Sequence, residues 1–103
     1  MSQQPILEVV LFRAKAGVSD EQVLQGSAQI QPWLAGAAGY LKREVSKGED
    51  GQWVDIVHWR SLAEAHQAAE QLMAEPTAAA LMSMIDPESI TMLHVQQQVA
   101  FGG

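Results

Sequence analysis

The side chains that could do chemistry in this sequence are few, and they fall on a small number of elements. Asp55 lies in the middle of Gln52-Trp53-Val54-Asp55-Ile56-Val57-His58-Trp59-Arg60, a stretch that is apolar on both sides. A carboxylate placed there must be hydrogen-bonded or paired, or burial drives it toward its neutral form. Glu8 occupies the corresponding face of a second doubly apolar stretch, Ile6 to Arg13. Two neighbouring carboxylates can share a proton and supply a general base. The plainer alternative for Asp55 is a structural ion pair with Arg43, Arg13 or Arg60. His66 stands between Ala65 and Ala69 on a helical stretch. An imidazole ordinarily titrates near neutral pH, so His66 is a second candidate base, against the alternative of a surface or satisfied core histidine. Trp59, Trp53, Phe12 and Tyr40 offer an aromatic wall for a flat ligand, with core packing the simpler use of Trp53 and Tyr40.

Other chemistries are excluded or left without a full set of groups. His66 and Glu70 have i, i+4 spacing, but the pattern supplies no third ligand, so no metal site is expected. No phosphate loop, nucleophile elbow or zinc signature occurs. His58 and His94 are assigned to the alternating set of Val54, Ile56 and Met92, a set that would meet a second copy of the chain. Met73, Met82, Met84 and Met92 are read as adaptable core filler. The absence of cysteine removes thiolate catalysis and disulfides, and it suits a reducing, cytoplasmic setting. Six basic against twelve acidic residues give a net charge of −6, which repels phosphate backbones and anionic lipid; neither nucleic acid nor a membrane surface is an expected partner. No apolar run approaches the roughly 20 residues of a membrane span, and Met1 to Pro5 is too short and polar for a signal peptide.

The elements that must position these groups follow from periodicity. Ile6 to Arg13 reads as a strand, with Leu7, Val9 and Leu11 on one face and Ile6, Glu8, Val10 and Phe12 on the other. Ser19 reads as a helix N-cap with Gln22 completing a capping box, and Val23, Ile30 and Leu34 form the apolar stripe. Gly26 and Ser27 on that stripe would let the helix approach the sheet. Pro32 should kink the last turn, and the helix should end by Gly36. Tyr40 to Ser46 alternates Leu41, Arg43 and Val45 against Tyr40, Lys42 and Glu44, the half-polar pattern of an edge strand. The loop containing Asp50-Gly51 then turns the chain into the Trp53–Arg60 strand, whose Trp53, Asp55, Val57 and Trp59 share a face. Ser61 and Glu64 predict a second capping box, ahead of a helix in which Leu62, Ala65, His66, Ala69, Leu72 and Met73 recur at helical spacing. Pro76 opens a helical continuation, Thr77 to Ile85, and Ile90 to Gln97 is the last strand.

The order is β-α-β-β-α-β over one domain of 103 residues, with frayed tails expected at 1–5 and 98–103. This is the ferredoxin-like pattern: a four-stranded antiparallel sheet with two helices on one face. Right-handed crossovers place the first and third strands in the centre, and these are the two doubly apolar ones. Two helices cover one face only, so the other stays apolar and bare. Pairing with a second copy about a two-fold axis would bury it, so a homodimer is expected.

Several pieces together resemble the dimeric α/β-barrel superfamily: Gly39-Tyr40, the strand Trp53 to Trp59, Ser61-Leu62-Ala63-Glu64-Ala65, Pro76, and Met84-Ile85-Asp86-Pro87. Within that superfamily the chain looks like a stand-alone antibiotic biosynthesis monooxygenase-like domain, over about residues 6 to 97. The resemblance implies a pocket between helices and sheet, with Trp59 at its border. It also implies a range of activities: oxidation of aromatic polyketides by molecular oxygen without metal or flavin, haem degradation, and lactone isomerisation. The haem-degrading members use an asparagine on the first strand and a histidine on the second helix. Here Val10 stands near the first position and Gln71 or Leu72 near the second, while His66 comes about one and a half turns too early, which argues against haem.

The resulting expectation is a homodimeric, cofactor-independent monooxygenase-like protein acting on a small aromatic or quinone-like molecule. His66 or Asp55 would serve as base, and Trp59, Phe12, Val10 and Glu8 would line the substrate pocket. The alternatives are a non-catalytic small-molecule-binding or stress-related domain of the same fold, and a lactone isomerase-type enzyme using the same base without oxygen.

Overall fold

The structure, a computed structural model, describes residues 4–102; Met1, Ser2, Gln3 and Gly103, parts of the two tails, lie outside the described residues. The elements are β1 (Ile6–Phe12), α1 (Asp20–Ala35), β2 (Tyr40–Lys47), β3 (Trp53–Trp59), α2 (Leu62–Met73), a 3₁₀ turn (Pro76–Ala78), α3 (Ala79–Met84), a second 3₁₀ turn (Pro87–Ser89) and β4 (Thr91–Gln96). The strands form one antiparallel sheet in the order β2-β3-β1-β4. The doubly apolar strands are thus the central pair, the two with a hydrogen-bonded neighbour on both edges. β4 begins at Thr91, one residue later than the pattern predicts. The main-chain N–H of Gln97 donates to the Pro5 carbonyl at 2.9 Å, so the ladder of hydrogen bonds continues one step beyond β1.

The helices close over one face of the sheet. Ser19 accepts from the Gln22 N–H while the Gln22 side chain accepts from the Ser19 N–H, and this reciprocal pair starts α1. Pro32 is accommodated in the last turn, and Gly36 caps the helix. Val23, Ile30 and Leu34 are buried against Ile6, Phe12, Trp53, Val57 and Trp59 from the sheet and Leu81 and Ile85 from the α3 segment. Each fully buried side chain of this size contributes about 1.5–3 kcal/mol.

Three local expectations are corrected. Gly26 of α1 serves a different contact: a Cβ there would strike Met84 and Leu81, so its close approach is to α3. Ser27 does meet the sheet, through Arg43 of β2, whose guanidinium donates to both the Ser27 carbonyl and its hydroxyl. β2 does not alternate cleanly, because a bulge between Tyr40 and Lys42 inserts Leu41 as an extra residue. Tyr40 therefore shares the helix-covered face with Arg43 and Val45, and Leu41 is exposed. The Ser61 hydroxyl accepts from the Glu64 N–H, but the Glu64 carboxylate is held by the Ser61 hydroxyl and by Arg60 rather than closing a capping box. Gly39, at φ 85°, is the one residue type that fits beneath that carboxylate, since a Cβ there would collide with it.

Among the described residues no helix lies on the opposite face of the sheet. Leu7, Val9 and Leu11 of β1 and Val54 and Ile56 of β3 are all partly exposed. Beside them Leu93 and Val95 of β4 are 48% and 43% exposed. Among the described residues no helix is long and apolar enough to cross a membrane.

Candidate active site

A cavity of about 150 Å³ lies between the helices and the covered face of the sheet. Its floor is made by Glu8, Val10 and Phe12 of β1 and Asp55 and Val57 of β3; α1 contributes Ile30 and Leu34, and α2 contributes Ala69 and Leu72. Leu81 and Ile85 close one side. The mouth is framed by Met73, Met82, Ile90 and Met92, which are 82%, 46%, 36% and 48% exposed. Those three methionines are therefore at a rim rather than in the core.

Of the expected pocket residues, Glu8, Val10, Phe12 and Asp55 line this cavity. They come together because Val10 lies opposite Asp55 and Glu8 opposite Val57 in the β1–β3 register, which puts all of them on one face of two paired strands. Trp59 and His66 are not among the lining residues. Trp59 is wholly buried in the core, with the Tyr40 ring edge-on at 6.2 Å, and its indole N–H has no hydrogen-bond partner among the described residues. His66 is exposed on α2. Phe12 stacks on Trp53 with centroids 6.1 Å apart at the far end of the floor.

The two carboxylates of the floor do not share a hydrogen bond; each is engaged from its own side of the sheet. Asp55 is gripped by Arg43 of β2, with Nε donating to Oδ1 at 3.0 Å and Nη2 to Oδ2 at 2.7 Å. The same guanidinium donates to the Ser27 carbonyl at 2.9 Å, the Ser27 hydroxyl at 2.6 Å and Gln31 at 3.3 Å. All five N–H groups are used, as burial demands of a side chain only 4% exposed. Among the described residues Glu8 is engaged by His94 of β4 alone, with Nε2 and Oε2 2.8 Å apart. The His94 ring in turn meets the His66 ring edge-on, with centroids 4.8 Å apart and planes at 86°.

His94 was not singled out for this site from the sequence. Its register partner on β1 is Glu8, and that of Met92 is Val10, so both point to the helix-covered face, opposite to His58. The grouping of His94 and Met92 with His58, Val54 and Ile56 is thereby corrected. The usable signal was the alternation Ile90, Met92, His94 leading into β4; what it lacked was the register that assigns that set to the covered side. His58 does lie on the bare face, 2.6 Å from Glu44, whose carboxyl is held below its ordinary value by that hydrogen bond. Among the described residues no group of three His, Asp or Glu side chains is arranged to hold a metal ion.

No known family profile matches the sequence, and no curated protein matches it. Solved structures do match the fold. SnoaB, a cofactor-independent oxygenase from Streptomyces nogalater, superposes with a TM-score of 0.76 at 14% identity, over 97% of this chain and 99% of that one. A monooxygenase from the ActVA-Orf6 gene of Streptomyces coelicolor, solved with nanaomycin D, gives 0.74 at 18% identity over 97% and 93%. A candidate antibiotic biosynthesis monooxygenase from Bordetella bronchiseptica gives 0.72 at 16% identity over 94% and 100%. The fold is that of the antibiotic biosynthesis monooxygenase-like proteins, as the sequence resemblance implied. At these identities the likeness is one of architecture.

Proposed function

We propose that the chain is a homodimeric, cofactor-independent monooxygenase-like protein that oxidises a small aromatic or quinone-like molecule in the cavity between its helices and sheet. The observation that carries this reading is the cavity floor: an apolar chamber holding one carboxylate, Glu8, that no arginine among the described residues neutralises. The description of SnoaB as a cofactor-independent oxygenase supports the same reaction class on this fold. Of the bases expected, Asp55 has both oxygens bound by Arg43 and His66 stands outside the lining, so Glu8 is the better-placed proton acceptor.

The chemistry balances without a further reagent. Glu8 takes the phenolic proton, and the electron-rich anion passes an electron to molecular oxygen. Recombination at the ring carbon para to the hydroxyl forms a carbon–oxygen bond. Loss of the hydrogen from that carbon and cleavage of the O–O bond leave a quinone carbonyl and one water. A substrate seated among these apolar walls would displace water from the floor, which favours charge held by fixed protein groups over charge shared with solvent.

Pairing through the bare face would cover Leu7, Val9, Leu11, Val54 and Ile56 together with Leu93 and Val95. The lack of cysteine supports a reducing, cytoplasmic setting. Oxygen uptake with a panel of phenols and hydroxyanthrones tests the reaction. Uptake lost in Glu8→Gln supports it; binding without uptake leaves a small-molecule-binding protein of the same fold. Light scattering at micromolar concentration tests the dimer, and a mass of 11.2 kDa, that of one chain, would overturn it.

A further inference from the structure

The chamber's size, its polarity and the one free oxygen on its floor restrict what can occupy it. We infer that the ligand is a single-ring aromatic carrying a hydrogen-bond donor and no charged substituent, a simple phenol with a hydrogen on its para carbon, and that Glu8 reads the donor in an orientation set by His94. This rests on the cavity being the functional site, and the test below separates the two.

Size gives the first limit. A chamber of about 150 Å³ is the volume that holds one benzene ring, so a fused three-ring system would have to extend out past the methionine rim.

Polarity gives the second. Glu8 and Asp55 are the only polar side chains of the lining, and no lysine, arginine or histidine lines the cavity among the described residues. Both oxygens of Asp55 are engaged and its charge is neutralised by Arg43. A carboxylate or phosphate on the ligand would therefore lie in an apolar wall beside a like charge, without a counter-ion.

The third limit comes from the Glu8 carboxylate itself. Its Oε2 is paired with His94, while Oε1 takes no hydrogen bond from the described residues. An ionised carboxylate only accepts, so the group that completes it must donate, as a phenolic hydroxyl does. With the hydroxyl on the floor, the para carbon points to the methionine rim, the side open to oxygen. His94 is a positioning residue, and His66, edge-on against its ring from the solvent side, holds it in place.

Calorimetric titration under argon tests this, with phenol, anisole, 4-hydroxybenzoate and anthrone as probes. Phenol should bind about tenfold more tightly than anisole, the difference expected of one hydrogen bond to a charged acceptor. 4-Hydroxybenzoate and anthrone should not saturate. Glu8→Gln keeps an acceptor for the His94 N–H, so it should melt like the parent, yet its amide N–H₂ faces the cavity and the preference for phenol should fall to about twofold or less. His94→Gln retains an N–H toward Glu8 and should keep the preference, whereas His94→Leu should lose it. Equal affinity for phenol and anisole, an undiminished preference in Glu8→Gln, or tighter binding of anthrone than of phenol would overturn the inference. Phenol binding without oxygen uptake upholds it and overturns the oxygenase. Oxygen uptake with anthrone alone upholds the oxygenase and overturns the ring size.

Discussion

Two carboxylates lie on the same cavity floor, and they are built to opposite ends. Asp55 is held through both oxygens by a guanidinium that spends its other donors on Ser27 and Gln31. Every N–H of that guanidinium is used and each Asp55 oxygen has a charged donor, so neither oxygen is left without a partner. Among the described residues Glu8 has one imidazole partner and one unengaged oxygen. The difference teaches that burial of a charge does not by itself mark a reactive group; an oxygen left without a donor does. A saturated buried ion pair fixes β2, β3 and α1 relative to each other, while an unsaturated one at the next register position can meet a substrate.

The contrast can be broken most severely at Arg43. Arg43→Met leaves Asp55 buried without its partner and should cost about 3–5 kcal/mol, read from urea unfolding. A loss below about 1 kcal/mol would mean that the Asp55 cluster is not structural. Arg43→Lys keeps the charge but not the fork, and a loss of about 1–2 kcal/mol is expected. Glu8→Gln should behave in the reverse sense. Stability should change by less than about 1 kcal/mol, because the His94 hydrogen bond survives, while oxygen uptake with phenols disappears. His66→Ala removes only an edge-on ring contact at the surface, and a loss of about 0.5 kcal/mol is expected, accompanied by weaker phenol preference if His94 is released.

The smallest effect belongs to an exposed carboxylate of the bare face. The Glu44 carboxyl is held below its ordinary value of 4.5, first by its hydrogen bond to His58. A carboxyl depressed by folding contributes stability that is present above its unfolded value and is lost as pH falls through the folded one. Glu44→Gln should therefore leave stability at neutral pH almost unchanged and remove a small part of the acid-side slope below pH 4.5, measured by thermal melting across that range. A large change at neutral pH would place Glu44 in a contact that a single chain does not contain.

Much of the frame was legible because it depends on local rules. Ser19 with Gln22 marked the start of α1, Gly36 its end, and the two doubly apolar strands announced themselves as central. Glu8, Val10, Phe12 and Asp55 were correctly grouped on one side of the sheet, since alternation along a strand is a covalent fact. The errors share a cause. Leu41 was assigned by strict alternation, and a bulge, invisible to a period-two count, shifted Tyr40 onto the covered face. Gly26 was matched to the sheet when α3, folded back from more than 50 residues later in sequence, is what it admits. His94 was placed with the bare face because an edge strand carries apolar residues on both sides, so its pattern does not say which set faces the helices.

The amino-acid order alone determined the sequence of elements, which strands lie inside, and which residues share a strand face, because these follow from backbone geometry and the burial of apolar surface. It could also say that Asp55 and Glu8 each needed a partner. Only the tertiary structure decided which partner each received: Arg43 from 12 positions away across a hairpin, His94 from 86 positions away across the closing strand pair. That choice rests on cross-strand register and on helix docking, which are properties of the whole packed sheet. From it follows which of two buried carboxylates is spent on holding the fold and which is left open to a ligand.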